Sequence, residues 1–254
     1  MKMYDFKAEQ TKNQLVIWLK DWFRENGAGC NAVIGISGGK DSTVVAALCV
    51  EALGKDRVIG VMMPNHIQND IEDSKRVCDF LGIKNYKVDI GSVIDATLQG
   101  IALNTDIKEL TDQTLINLPP RIRMATLYAL SQSMNGRVIN TCNLSETMVS
   151  WETRWGDAVG DCAPIVNLTV EEVKKIGYAL GLPKDLIEKT PSDGLCGSSD
   201  EEALGIKYQE IDDYIRKDAG TPERKAEILK RVKQYEFKRN PIPSFNPGIK
   251  NYME

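Results

Sequence analysis

The sequence predicts an α/β fold, with one doubly wound, mainly parallel sheet and helices on both faces. Short runs rich in Val and Ile alternate with longer stretches whose apolar residues recur at helical spacing. Glycine punctuates many of the joins, and such alternation implies parallel strands linked by right-handed crossovers. The 254 residues, 42% hydrophobic and 27% charged, suffice for a full core, and no repeat or low-complexity linker divides the chain. A single domain over residues 1–254 is expected.

Taken in order, Leu15, Trp18, Leu19 and Trp22 share a helical face ahead of "NGAG", so residues near 6–26 form a first helix ended by glycine. "AVIGI" is a buried strand, and a helix from about Ser42 to Leu53 follows, closed by Gly54. "RVIGVMMP" is the second strand. Asp70 and Asp73 open the next helix, Ile71, Val77, Cys78 and Leu81 form its inner face, and Gly82 stops it. "NYKVDI" gives the third strand, "PPRIRM" opens a long helix, and "GRVINTCN" gives the fourth strand. Beyond "APIVNL" the chain is mostly helical, with "PERKAEILKRVKQYEF" a solvated helix and "NPIPSFNPG" irregular.

Composition narrows the function classes. No apolar stretch is long enough to span a membrane, and "MKMYDFKAEQ" has no signal core, so a cytoplasmic protein without a membrane role is expected. The net charge of -4 argues against nucleic acid as the main partner. Six cysteines without a C-x-x-C pair read as reduced, mostly buried thiols.

The chemistry is concentrated in "ISGGKDST", at the carboxyl end of the first strand, where an open parallel sheet binds its ligands. Gly38 and Gly39 let backbone N–H groups approach an anion, the next helix offers its N-terminus, and Ser37, Lys40 and Ser42 add two hydroxyls and a charge. The loop is neither a P-loop, which needs Lys followed by Ser or Thr, nor a G-x-G-x-x-G fingerprint. Asp41 beside a phosphate needs an intervening cation, which suggests Mg²⁺.

S-G-G-K-D-S resembles the loop of the PP-loop ATP pyrophosphatases, the adenine nucleotide alpha hydrolase-like superfamily, which cleave ATP between its α and β phosphates. Downstream segments narrow the likeness: "MMPNHIQ", "NLPPRIRM", "NTCNLSE", "TRWGD", "PIVNLTV", "KTPSDGL" and "SDEEALGIKYQEIDDYI". In that order, over nearly the whole chain, they resemble ammonia-dependent NAD synthetase. The resemblance implies a five-stranded, Rossmann-like sheet and ATP as co-substrate. It implies a two-step reaction in which the nicotinate carboxylate of deamido-NAD attacks the α-phosphate and ammonia then displaces AMP. It implies that Ser37, Gly38, Gly39, Lys40, Asp41, Ser42, Met63, Gln68, Arg121, Thr141 and Ser192 bind ATP. Asn117, Tyr128, Arg154, Asp157, Asp161 and Lys238 fall on the deamido-NAD side, Asp41 and Glu146 hold Mg²⁺, and Lys40 and Asp41 are catalytic. It also implies a homodimer, with Trp18 and Trp22 either in the core or at the interface.

Each assignment has a plainer counterpart. Glu146 can simply open a helix, Tyr128 can be core, and of Arg121 and Arg123 at most one need touch a ligand. The lone His66 reads as a loop residue. Val170 and Phe237 depart from the family pattern of Lys and His, leaving Lys189 and Arg239 as candidates for the missing charge. A chain of this length leaves no room for an amidase domain, so free ammonia is expected. A tRNA-modifying relative would want a basic surface, and a module that merely stores ATP gives no reason for Asp41, Glu146 and "TRWGD".

Overall fold

The computed structural model describes residues 4–68, 71–189 and 200–248. Helix α1 (Ala8–Asn26) leads into strand β1 (Asn31–Gly35), helix α2 (Lys40–Leu53) and strand β2 (Val58–Met62). Then come α3 (Ile71–Leu81), β3 (Lys84–Lys87), α4 (Gly91–Asn104), α5 (Asp112–Ser133) and β4 (Gly136–Val138). The remaining helices are α6 (Leu144–Met148), α7 (Val170–Ala179), α8 (Lys184–Ile187), α9 (Asp200–Leu204), α10 (Tyr208–Lys217), α11 (Pro222–Gln234) and α12 (Glu236–Arg239).

The strands pair in parallel in the order β3-β2-β1-β4, with Ala32 opposite both Val58 and Arg137. The chain leaves β1 toward β2 and β3 and later returns to its other side as β4, so strand order reverses between β1 and β4. One face packs Ile34, Val45, Leu48, Cys49 and Val77 against Leu19 and Phe23 of α1 and Val173 and Ile176 of α7. The other packs Val33, Val61 and Val138 against Ile94 of α4 and Met124 and Leu127 of α5. Fully burying each such side chain is worth about 1.5–3 kcal/mol. A third cluster, including Val149, Val170, Tyr208, Ile211 and Ile228, joins α6 and α7 to α10 and α11.

Several expectations change. The sheet has four strands among the described residues, and the fifth is reduced to a single parallel bridge between Ile139 and Cys162. The Asp161 carboxylate accepts the Val138 N–H at 2.7 Å, taking the donor that a continuing fifth strand would use. Helix α2 begins at Lys40, and the long helix begins at Asp112, capped by the Thr111 hydroxyl at 3.3 Å, with Pro119 and Pro120 inside it. Helix α4 had no sequence expectation. Its inner face is narrow: Ile94 is buried and Leu98 is partly buried against the core, while Val93 and Leu103 are exposed. The buried face of α1 is Val16, Leu19 and Phe23; Trp18 is 43% exposed, while Trp22 packs edge-on against Phe23 at the border of the core. Cys30, Cys49, Cys78, Cys142 and Cys162 are free and buried, as expected, and Cys196 and Asp70 lie outside the described residues.

Candidate active site

A cavity of about 280 Å³ opens where strand order reverses. The end of β1 and the following loop supply Ser37, Gly39, Lys40, Asp41 and Ser42, and the end of β4 supplies Asn140, Thr141, Cys142 and then Glu146. Positive φ at Gly38 (78°) turns the chain, and a Cβ there would lie 2.8 Å from Asp73 Cβ and from the Ser74 nitrogen. The turn is braced internally: Gly39 N–H donates to Ser37 Oγ at 3.2 Å, and Thr43 Oγ1 donates to the Gly39 carbonyl at 2.7 Å. No side chain caps the start of α2, so its first N–H groups face the cavity end as an anion cradle.

Charge at this cradle is arranged in a chain. Lys40, only 2% exposed, donates to Asp41 Oδ2 at 2.9 Å and sits 5.9 Å above the Tyr208 ring. Burial alone would lower its pKa, but Asp41 and Glu146 outweigh it and hold the ammonium above its usual value. Asp41 Oδ1 accepts from Asn143 Nδ2 at 3.1 Å. Asn143 also caps α6, and Glu146 Oε2 accepts its backbone N–H at 3.4 Å. Glu146 thus both opens a helix and lines the cavity. Burial, and then the nearby Asp41, push its carboxyl well above the ordinary range. Asp200, 7% exposed, lines the same space.

The structure gathers most of the expected ATP residues here: Ser37, Gly39, Lys40, Asp41, Ser42, Met63, Gln68 and Thr141 line one cavity, and Gly38 shapes its loop. Ser192 lies outside the described residues. Arg121 does not line it; its Nε donates to the Arg154 carbonyl at 3.3 Å on the outside. Arg123, two residues further along α5, lines it and donates to the Met63 carbonyl at 3.2 Å. Of the candidates for the charge missing at Val170, Lys189 lines the cavity and pairs with Asp73 at 2.7 Å. Arg239 instead bonds Ser150 Oγ and two backbone carbonyls.

The expected deamido-NAD residues are spread more widely. Asp157 lines the cavity and accepts from Thr153 N–H at 2.9 Å. Asn117 accepts from Thr153 Oγ1 at 2.8 Å but sits outside the lining. Asp161 accepts both the Val138 N–H and the Tyr128 hydroxyl, which ties those two residues to the sheet edge. The Arg154 guanidinium lies 4.9 Å from the Trp155 ring and 5.6 Å from the Phe237 ring, so Phe237 serves as an aromatic partner of an arginine. A second cavity of about 430 Å³ adjoins the first and contains Asp161 and Lys238. Sequence reasoning missed Asn143, Glu152 and Asp200; only Asn143 had a readable signal, the N-x-x-E capping pattern.

A family profile described as NAD synthase matches residues 11–242. The chain belongs to the NAD synthase family. It is 39% identical to an NH(3)-dependent NAD(+) synthetase of Pyrococcus horikoshii, covering 90% of this chain and 93% of that protein. An NH(3)-dependent NAD(+) synthetase of Finegoldia magna is 36% identical over 92% of this chain and 96% of its own length. Among solved structures, NMN synthetase from Francisella tularensis superposes with a TM-score of 0.86 at 32% identity, over 95% of this chain and all of that one. The NH3-dependent NAD synthetase of Campylobacter jejuni gives 0.78 at 26% identity, with the same coverage. As a member of the NAD synthase family, the chain shares the parallel sheet of these structures.

Whether the residues present suit a magnesium ion follows from their donor chemistry. Among the described residues no group of His, Cys, Asp and Glu is large enough to hold a metal by itself. Mg²⁺, however, takes hard oxygen donors and commonly only one or two carboxylates, the rest coming from phosphate and water. Asp41 and Glu146 facing one space, each raising the proton affinity of its surroundings, meet that demand.

Proposed function

We infer that this NAD synthase family member is a ligase forming a carbon–nitrogen bond: it amidates deamido-NAD to NAD with ammonia and ATP, releasing AMP and pyrophosphate, the last step of NAD synthesis. The observation that carries the reading is the convergence of the Ser37–Ser42 loop and Glu146, from the two sides of the strand-order reversal, on one cavity.

In this reading the α2 N-terminus with Ser37, Gly39 and Ser42 holds the phosphate chain, and Lys40 offsets its charge. Mg²⁺ held by Asp41 and Glu146 supplies further charge neutralisation when bound. Arg123 and Lys189 add cations to the lining of the same cavity. Two anions, a carboxylate and a triphosphate, must meet, so fixed positive charge aimed at the reacting phosphate accounts for much of the rate. Asp157 and Thr141 position the acid on the β4 side. Free ammonia is the nitrogen donor. The enzyme works in the cytoplasm as a homodimer, a state supported by exposed Leu103, Ile107, Leu115 and Ile116 gathered at the α4–α5 turn.

The test incubates the protein with ATP, Mg²⁺, ammonium and deamido-NAD. Equal amounts of AMP and NAD are expected, and ATP binding without either product sinks the reading. A second reading, an NMN-forming synthetase, is favoured by the likeness to the Francisella tularensis structure. Offering nicotinate mononucleotide in place of deamido-NAD separates the two.

A further inference from the structure

Glu152 has no role in the site described so far, and its placement is unusual. It is 5% exposed, and its Oε2 is buried without a hydrogen-bond partner. It lines both cavities, as do Asn140, Cys142 and Val159, so the two cavities meet at these side chains, which we call the neck. Asn140 is already committed, its side-chain amide donating to the Asp157 carbonyl at 2.8 Å. Val159 offers no side-chain polarity. The Cys142 thiol is buried and donates to that same carbonyl at 3.2 Å. The Glu152 carboxylate therefore presents the uncommitted acceptor at the neck.

The charged groups around it come from several elements. Asp157 approaches from the loop after β4, and Lys238 and Arg239 approach from α12. Both cations are held by other partners: Lys238 Nζ donates to the Ser150 and Glu152 carbonyls at 2.8 Å each, and Arg239 bonds Ser150 Oγ. Neither makes an ion pair with the Glu152 carboxylate. Burial outweighs their influence and pushes Glu152 up to about 7. An acceptor-only carboxylate in this state lacks a small donor carrying positive charge.

We propose that the second cavity admits the nitrogen substrate as ammonium, and that Glu152 binds it at the neck and takes its proton. This rests on the amidation reading above. Ammonium gives one proton to Glu152 Oε2, leaving neutral ammonia and a carboxylic acid. The ammonia lone pair, facing the first cavity, then forms the C–N bond to the activated carboxyl carbon as the bond to AMP breaks. A base that titrates near the working pH is suited to that transfer. The surplus proton of the new amide leaves to solvent through the same neck, and Glu152 is reset by losing its own.

The experiment separates the two halves of the reaction. Deamido-NAD-dependent exchange of pyrophosphate into ATP is measured without ammonium, and steady-state NAD formation is measured against ammonium concentration across pH. For Glu152→Gln, exchange is expected to persist while the KM for ammonium rises about tenfold or more, and the break in kcat/KM for ammonium near neutral pH disappears. Ala163→Leu, which narrows the second cavity without touching the neck, is expected to raise the KM for ammonium alone and serves if the Gln variant fails to fold. Unchanged ammonium dependence and pH profile in a folded variant overturn the proposal. Loss of exchange in Glu152→Gln alone also overturns it, since Glu152 would then serve the acid or ATP. Absence of exchange in the unmodified protein instead removes the amidation reading.

Discussion

Glu152→Gln also makes a prediction about stability that is independent of turnover. The carboxyl titrates near 7 in the folded chain against an ordinary value of 4.5, because burial penalises its charged form. Between those values the folded protein binds a proton that the unfolded chain has released, so this group's contribution is present below pH 4.5 and lost as pH rises through 7. Integrating that difference gives about 2.5 kcal/mol less stability at about pH 8 than at about pH 5 from this residue. Gln cannot ionise and keeps the shape. Urea unfolding of both proteins at the two pH values, without ligands, isolates the effect as a difference of differences in which pH-independent changes cancel. The variant should gain about 2.5 kcal/mol on the parent on moving to the higher pH. Parallel pH dependences for the two proteins would refute the reasoning, because they would mean that the carboxyl titrates as if in water.

Other perturbations reach different parts of the molecule. Asp41→Ala should abolish NAD formation while circular dichroism stays unchanged; retained activity would show the metal role misplaced. Gly38→Ala forces a Cβ to 2.8 Å from Asp73 Cβ in a left-handed backbone, and should lower stability by about 2 kcal/mol and raise the KM for ATP. Arg123→Ala should weaken ATP, read as KM, far more than Arg121→Ala, because only Arg123 lines the cavity. Glu172, 1% exposed, accepts from Arg216 through both oxygens at 2.7 Å and from the Tyr4 hydroxyl. Burial acts to raise its pKa, but Arg216 and the Thr169 cap outweigh it and hold it below the ordinary value. Arg216→Ala should cost about 3 kcal/mol near neutral pH in urea unfolding, and the loss should shrink as pH falls and Glu172 takes a proton.

How much could be read in advance depended on how local the cause was. Strands β1 and β2 are buried on both faces and therefore appear as unbroken apolar runs. The loop from Ser37 to Ser42 declared itself because glycine spacing and helix onset are local chemistry. Strand β3 is only half-buried, and the fifth strand is cut short by the side chain of Asp161, the residue next to its own bridge at Cys162. The start of α5 was hidden by Pro119 and Pro120, which resemble an N-terminus but sit inside the helix. The choice between Arg121 and Arg123 was a matter of helix phase, and Glu152 gave no signal because its meaning lies in what fails to reach its Oε2.

The Asp161 carboxylate at the sheet margin has one more consequence. Strand β4 is the outermost strand on its side, and an edge strand is where a second chain can add itself by backbone pairing. With the outward Val138 N–H held by the Asp161 carboxylate, the Val138 carbonyl accepting the Asp161 N–H at 2.7 Å and the Asn140 N–H donating to the Cys162 carbonyl at 2.8 Å, an incoming strand meets backbone groups that are already paired. The residue that ends the sheet thereby also guards the folded protein against edge-to-edge aggregation.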